Sequence, residues 1–164
     1  MIEKNLNALE AIIIGCIICG ALSFQFFFNE EPCALCLIQR LGMLGVAISV
    51  LLNVRFSPQK LHYGLALLCA VFGAFVALRQ IFLHACPGTP KFGVPFWGLS
   101  LYTWSFIIFA STVVYNALLL MIFNQKQSKP SSNWFGHVAF WLIMVVSFIN
   151  ILGTFQVCGF GPCG

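Results

Sequence analysis

Four stretches of this chain, residues 11–28, 61–78, 92–125 and 130–164, contain no Lys, Arg, Asp or Glu, and between Pro32 and Val54 only Arg40 interrupts a fifth. A helix needs about 20 consecutive apolar residues to cross the hydrocarbon core of a bilayer. A backbone in lipid must also satisfy its own hydrogen bonds, which favours helices over isolated strands. The chain is therefore expected to be an all-α integral membrane protein, with spans at roughly 9–28, 34–54, 61–83, 97–123 and 134–156. Only 7% of its residues are charged, against about 25% in soluble domains, which excludes a water-soluble fold. The first span is too long for a removable signal peptide, and it lacks the basic flank and small-residue cleavage site of one.

The basic residues outside the spans sort by loop. With the N-terminus inside, the inner segments carry Lys4, Arg55, Lys60, Lys126 and Lys129, and the outer ones carry only Lys91, beside Glu30 and Glu31. Short loops rich in Lys and Arg stay on the cytoplasmic side, so the N-terminus is expected in the cytoplasm and the C-terminus outside. That topology accounts for the net charge of +4 without a nucleic-acid partner. Connections are short, and no segment is long enough for a soluble domain, so the whole chain reads as one membrane domain. Its substrates must come from the bilayer or from another protein.

Topology also sorts the eight cysteines. Cys16, Cys19 and Cys69 fall inside spans one and three, where cysteine usually serves as a small packing residue. Cys33, Cys36, Cys86, Cys158 and Cys163 fall on the outer side. Cys33-Ala34-Leu35-Cys36 follows Pro32, a residue suited to a first helical turn because its missing N–H would be unpaired there anyway. A helix opening here leaves free N–H groups near both sulfurs, and its dipole favours an anion. Both effects ease thiolate formation and make the disulfide a stronger oxidant. The alternative, a static disulfide across one turn, would close a loop so small that it constrains little of the unfolded chain.

Arg40 lies four residues after Cys36 and seven after Cys33, hence on the same helix face. Some eight residues past Pro32, it is roughly 12 Å along the helix. An ionised group at that depth is costly unless it is paired or snorkels to the headgroups. Position alone allows snorkelling. It also allows a donor to the carbonyl of a lipid-soluble acceptor, stabilising the charge that develops on reduction. Membrane quinones fit that role, since they live in the bilayer and accept the two electrons that a dithiol releases. No dinucleotide-binding glycine pattern and no pair of His ligands on one helix competes, so no resident metal is expected.

Pro32-Cys33-Ala34-Leu35-Cys36-Leu37-Ile38-Gln39-Arg40 resembles the P-C-x-L-C-x-x-x-R signature of the disulfide bond formation protein B (DsbB) family. Arg79-Gln80 near the outer end of span three is similar to that family, as are Phe96-Trp97-Gly98-Leu99-Ser100-Leu101 and Trp104-Ser105 at the start of span four. The resemblance covers roughly residues 8–123. It implies a four-helix transmembrane bundle in the bacterial inner membrane, to which this chain adds a fifth C-terminal helix. It also implies a quinone-dependent enzyme that takes electrons from a periplasmic thioredoxin-like (DsbA-type) thiol oxidase and passes them to ubiquinone or menaquinone. By position, Cys33–Cys36 would be the quinone-proximal disulfide, Cys36 the sulfur facing the ring, and Arg40 the residue that orients it. Arg79 and His84, near the same end of span three, are further candidates to line the quinone pocket. Interfacial snorkelling explains either equally well.

The chain departs from that pattern in two places. The family's outer loop between spans three and four normally carries a second redox pair, but here it holds only Cys86, in His84-Ala85-Cys86-Pro87-Gly88. The fifth span, and Cys158 and Cys163 after it, lie beyond the pattern. The Cys158/Cys163 tail is expected to replace the missing pair, with Gly159, Gly161 and Pro162 allowing the reversal that a Cys-x4-Cys closure needs. A structural clip, or pairing of Cys86 with a tail cysteine, are the alternatives. Two other functions compete with the oxidase. An epoxide-quinone-reductase-like enzyme would carry its active pair in a late span, unlike this chain. A soft-metal-binding accessory protein using cysteines with Met43, Met121 and Met144 would not place Arg40 beside its thiols.

Overall fold

The structure, a computed structural model, describes residues 2–28, 33–85, 95–122 and 134–159. Five helices make up nearly all of it: α1 (Ile2–Phe28), α2 (Ala34–Arg55), α3 (Lys60–His84), α4 (Leu101–Ile122) and α5 (Trp134–Cys158). All five are long and apolar enough to cross a membrane, and the described residues contain no strand beyond one isolated bridge. The molecule is a multi-pass membrane protein. α2 packs on α1 and α3, α3 packs on α4, and α5 packs on the outside of α1 and α2. The expected four-helix bundle with an added fifth helix is what forms.

In lipid no helix gains by hiding apolar surface from water, so close association relies on small residues that let backbones approach. The clearest case joins three helices. The Phe109 ring of α4, itself fully buried, sits in a notch between Gly42 of α2 and Gly73 of α3. A Cβ at Gly73 would fall 2.2 Å from the ring, and one at Gly42 would fall 3.3 Å from it. Gly73→Ala is expected to lower stability by about 1–3 kcal/mol, the usual cost of overpacking. A drop in the thermal midpoint of the detergent-solubilised protein would report it; an unchanged midpoint would show that Phe109 can turn aside. α5 presents Ala139, Ile143, Val146 and Asn150 to the bundle, all buried at alternating spacings of four and three. Its other faces are apolar and exposed, as lipid contact requires.

Two helix boundaries differ from the hydropathy reading. α1 begins at Ile2 rather than near residue 9, because Lys4 and Asn7 of its polar first turns are buried among partners. Lys4 is only 2% exposed. Asn7 Nδ2 donates to the Tyr63 hydroxyl at 2.8 Å, and Asn53 Nδ2 donates to Asn7 Oδ1 at 3.1 Å, linking α1, α2 and α3. At this same end Asn116 Nδ2 of α4 donates to Glu10 of α1 at 2.5 Å. α4 begins at Leu101 rather than 97, because residues 96–99 close a two-residue turn. Phe96 and Leu99 exchange backbone hydrogen bonds of 2.9 and 3.1 Å. Trp97 (φ 51°) and Gly98 (φ 77°) both take the left-handed conformation that such turns demand. The Trp97 ring is 85% exposed, in keeping with an interfacial aromatic belt.

The three mid-span cysteines divide. Cys19 and Cys69 pack against the core, whereas Cys16 is exposed and faces away from it. The packing role expected for all three holds for two.

Candidate redox site

α2 opens with Cys33 as its N-cap, in an extended conformation. A cap needs an acceptor for a free first-turn N–H, and here the acceptor is sulfur: Cys36 N–H donates to Cys33 Sγ at 3.2 Å. The helical turn brings the two side chains together, with the sulfurs 2.6 Å apart. Gln80 of α3 completes the shell, its Nε2 lying 3.3 Å from Cys33 Sγ and 3.5 Å from Cys36 Sγ. The Cys33 thiol is pulled down to a pKa of about 6. The hydrogen bond from the Cys36 side chain leads this shift and partial burial opposes it; the Cys36 N–H, the Gln80 amide and the Leu35 N–H add to the lowering. A thiol lowered in this way is readier for exchange. Pro32, which precedes the cap, lies outside the described residues.

Arg40 does not snorkel. It is 9% exposed and reaches from α2 to α1, where Nη1 donates to Gln25 Oε1 at 2.6 Å and Nη2 to the Ala21 carbonyl at 3.1 Å. Both partners are neutral. The result is a fixed, buried positive charge with no carboxylate partner among the described residues.

A cavity of about 460 Å³ lies between these groups. α2 contributes Cys36, Gln39, Arg40 and Met43; α1 contributes Gly20, Ala21, Phe24 and Gln25; α4 contributes Tyr102, Trp104, Ser105 and Ile108. Phe96 spans the gap between the flanking helices, meeting Phe24 edge-on at 5.9 Å, and its carbonyl accepts from Trp104 Nε1 at 2.9 Å. The space is mostly apolar, with a cation, amides and one thiol on its back wall, which is the usual make-up of a small-molecule site.

The cysteine motif and Arg40 thus come together as the spacing expects, with Cys36 lining the cavity and Cys33 at its edge. Arg79 does not join them. It is exposed on the outward face of α3, among Phe75, Leu78, Phe82 and Leu83, because one residue of helix turns it about 100° from Gln80. His84 stands one layer back: its Nδ1 meets the Gln80 carbonyl at 2.9 Å and its ring stacks on Tyr102 at 5.2 Å. It therefore touches a wall residue rather than the cavity. Cys86 and Cys163 lie outside the described residues, and Cys158 is the last residue of α5, its side chain undescribed. Gln25, Gln39 and Tyr102 are site residues the sequence reading did not single out. Their one available signal was polarity within apolar spans.

The sequence profile of "Disulfide bond formation protein DsbB" matches residues 3–92, which takes in α1, α2, α3 and the whole cysteine motif. Among curated proteins, "Disulfide bond formation protein B" of Chromobacterium violaceum is 36% identical over 84 residues, covering 46% of this chain and 51% of that protein. The protein of the same description from Polaromonas naphthalenivorans is 36% identical over 92 residues (53% of this chain, 55% of the relative). The one from Neisseria meningitidis is 34% identical over 106 residues, covering 60% and 65% respectively. The chain thus spans about half the length of the first curated relatives it matches. No solved structure matches it. With a profile match across more than half its length, centred on the helices that carry Cys33, Cys36 and Arg40, the chain belongs to the DsbB family.

Proposed function

We propose that this protein is a thiol–disulfide oxidoreductase of the bacterial inner membrane. It reoxidises a periplasmic thioredoxin-like (DsbA-type) thiol oxidase and passes the two electrons to a membrane quinone, ubiquinone or menaquinone. One observation carries the reading: Cys36 and Arg40 line the same apolar cavity while Cys33 stands at its edge in contact with Cys36. A cavity of about 460 Å³ suits a flat ring with carbonyl acceptors, and the buried charge of Arg40 suits a ring that becomes more negative on reduction. α1 and α4 flank the cavity without packing closely on each other, which supports entry from the bilayer. The excess of basic residues in the inner loops supports a cytoplasmic N-terminus and a periplasmic C-terminus.

In this mechanism an incoming thiolate attacks Cys33, forming a mixed disulfide and releasing the Cys36 thiolate. The new charge appears beside Gln80 and within the field of Arg40. A quinone held in the cavity would supply the sink for the two electrons and two protons that the dithiol gives up. Arg40 and Gln25 hold the charged wall fixed, and the aromatic rings of Phe24, Phe96 and Trp104 keep water from it. The donor's second thiol then attacks its own sulfur in the mixed disulfide and expels Cys33, leaving an oxidised donor and a Cys33/Cys36 dithiol. Loss of two electrons and two protons from that dithiol to the bound acceptor would return it to the disulfide.

The Cys158/Cys163 tail is the proposed point of entry for the partner's electrons, replacing the loop pair that other family members carry. The test is reconstitution of the full chain with a reduced thioredoxin-like dithiol and a short-chain ubiquinone. Quinone reduction matched one-for-one by disulfide formation is expected, and a protein that shows no coupling overturns the function. In the same assay, Cys158→Ser/Cys163→Ser should stop oxidation of the partner while quinone still oxidises Cys33 and Cys36 directly. Unchanged partner oxidation would remove the tail from the pathway and leave the rest standing.

A further inference from the structure

Two glutamines sit behind the sulfurs. Gln39 of α2 and Gln80 of α3 are 3% and 1% exposed, at a depth where an unpartnered amide is costly, so the direction of their polar atoms is informative. Gln39 Nε2 donates to Gln80 Oε1 at 2.7 Å. With its oxygen committed, Gln80 turns its NH2 group to the sulfurs at 3.3 and 3.5 Å, while its Oε1 stands 3.9 Å from Cys36 Sγ.

We infer that Gln39 and Gln80 form an amide relay that tunes the redox pair: Gln80 donates to whichever sulfur carries negative charge, and Gln39 is the positioning residue that keeps the donor side of Gln80 facing it. The inference rests on the reading of Cys33–Cys36 as the redox pair. Opening that disulfide takes two electrons from an incoming dithiol and, at neutral pH, leaves one sulfur protonated and the other charged. An N–H donor favours the charged sulfur, whereas a neutral thiol is a weak acceptor that gains little. Favouring the thiolate favours the reduced form, and so makes the disulfide the stronger oxidant.

The Cys36 and Leu35 N–H groups also donate to Cys33, but no other side chain around the pair duplicates the role of Gln80. Arg40 is the one charged side chain of α2 between Cys33 and Val54, and its donors are aimed at α1. On α3, His84 meets the Gln80 carbonyl and Tyr102 of α4, and Arg79 faces outward. α1 offers Gln25 at this level, and α5 has no ionisable side chain between Val138 and Val157.

The test is the pH profile of iodoacetamide alkylation at Cys33 in the reduced full-length protein, read on the Cys33 peptide by mass spectrometry. Gln80→Met should raise the midpoint by about one pH unit, the scale of one hydrogen bond to a charged group, and Gln39→Met should raise it by less. Because Gln39 acts through Gln80, the double variant should shift no further than Gln80→Met alone. A midpoint for Gln80→Met within about 0.2 unit of wild type, or additive shifts in the double variant, overturns the relay. Should Gln80→Met fail to fold, Gln39→Met decides, since an unchanged midpoint there equally overturns it. Alkylation needs neither quinone nor partner. A shifted midpoint in a protein that cannot reduce quinone would therefore keep the relay and sink the functional reading; an unshifted one in an active enzyme would do the reverse.

Discussion

With Cys33 and Cys36 both changed to alanine, transfer of electrons from a reduced thioredoxin-like dithiol to quinone is expected to fall by on the order of 10³-fold or more, the scale seen when a covalent relay loses its nucleophile. The bundle should survive the change. Neither sulfur belongs to the buried core, and the main structural loss is the sulfur cap at the start of α2, worth about 1 kcal/mol. The single variants are expected to differ from each other because the two sulfurs face different surroundings. Cys36→Ala keeps a thiol at position 33, at the cavity edge and beside the Gln80 amide but without the Cys36 side chain that leads its acidity. Being at the edge, it should still be reached by a charged, water-soluble disulfide reagent. Cys33→Ala keeps a thiol that lines the apolar cavity, and that thiol should react slowly with the same reagent. Equal reactivity would remove the division of labour between entry and exit sulfurs. A double-alanine protein that still recharges its client at the wild-type rate would remove the site altogether.

Several parts of this site were legible in the sequence, for physical reasons that differ. Uncharged runs reveal spans because the bilayer penalises charge, and Cys33, Cys36 and Arg40 share a face because a helix repeats every 3.6 residues. Hydropathy could not find the first turns of α1, since Lys4 and Asn7 are polar residues made tolerable only by partners on other helices. The start of α4 was hidden likewise: Phe96 and Trp97 read as apolar, yet Gly98 allows a tight turn that no hydropathy window detects. Arg79 and Gln80 are neighbours in sequence and lie near the same end of the bundle, but only the angle around α3 decides which meets the sulfurs. Gln25 was out of reach for another reason. Its role exists only because Arg40 turns across to α1, a tertiary choice that the spacing of α2 leaves open.

Replacement of Arg40 should separate function from stability. Arg40→Met is expected to raise the quinone KM by about 10–100-fold, the worth of one or two charge-assisted hydrogen bonds lost from the ligand, while thermal stability stays the same or rises. The second half of that expectation follows from the site's own balance. Burying a guanidinium at bilayer depth costs several kcal/mol, and among the described residues its hydrogen bonds go to two neutral groups, Gln25 Oε1 and the Ala21 carbonyl, worth about 1.5–3 kcal/mol each. A buried charge exchanged for an apolar side chain of similar volume often leaves a protein equally or more stable. Arg40→Lys should recover little, because an ammonium cannot hold Gln25 and the Ala21 carbonyl in the same fork. Gln25→Leu should fall between, since it frees the guanidinium to turn while leaving its charge in place. Quinone KM and the thermal midpoint, measured together on the detergent-solubilised protein, decide the matter. If Arg40→Met unfolds the protein, Arg40 is a structural tie between α1 and α2; if it stays folded and its KM is unchanged, the cation takes no part in holding the electron acceptor.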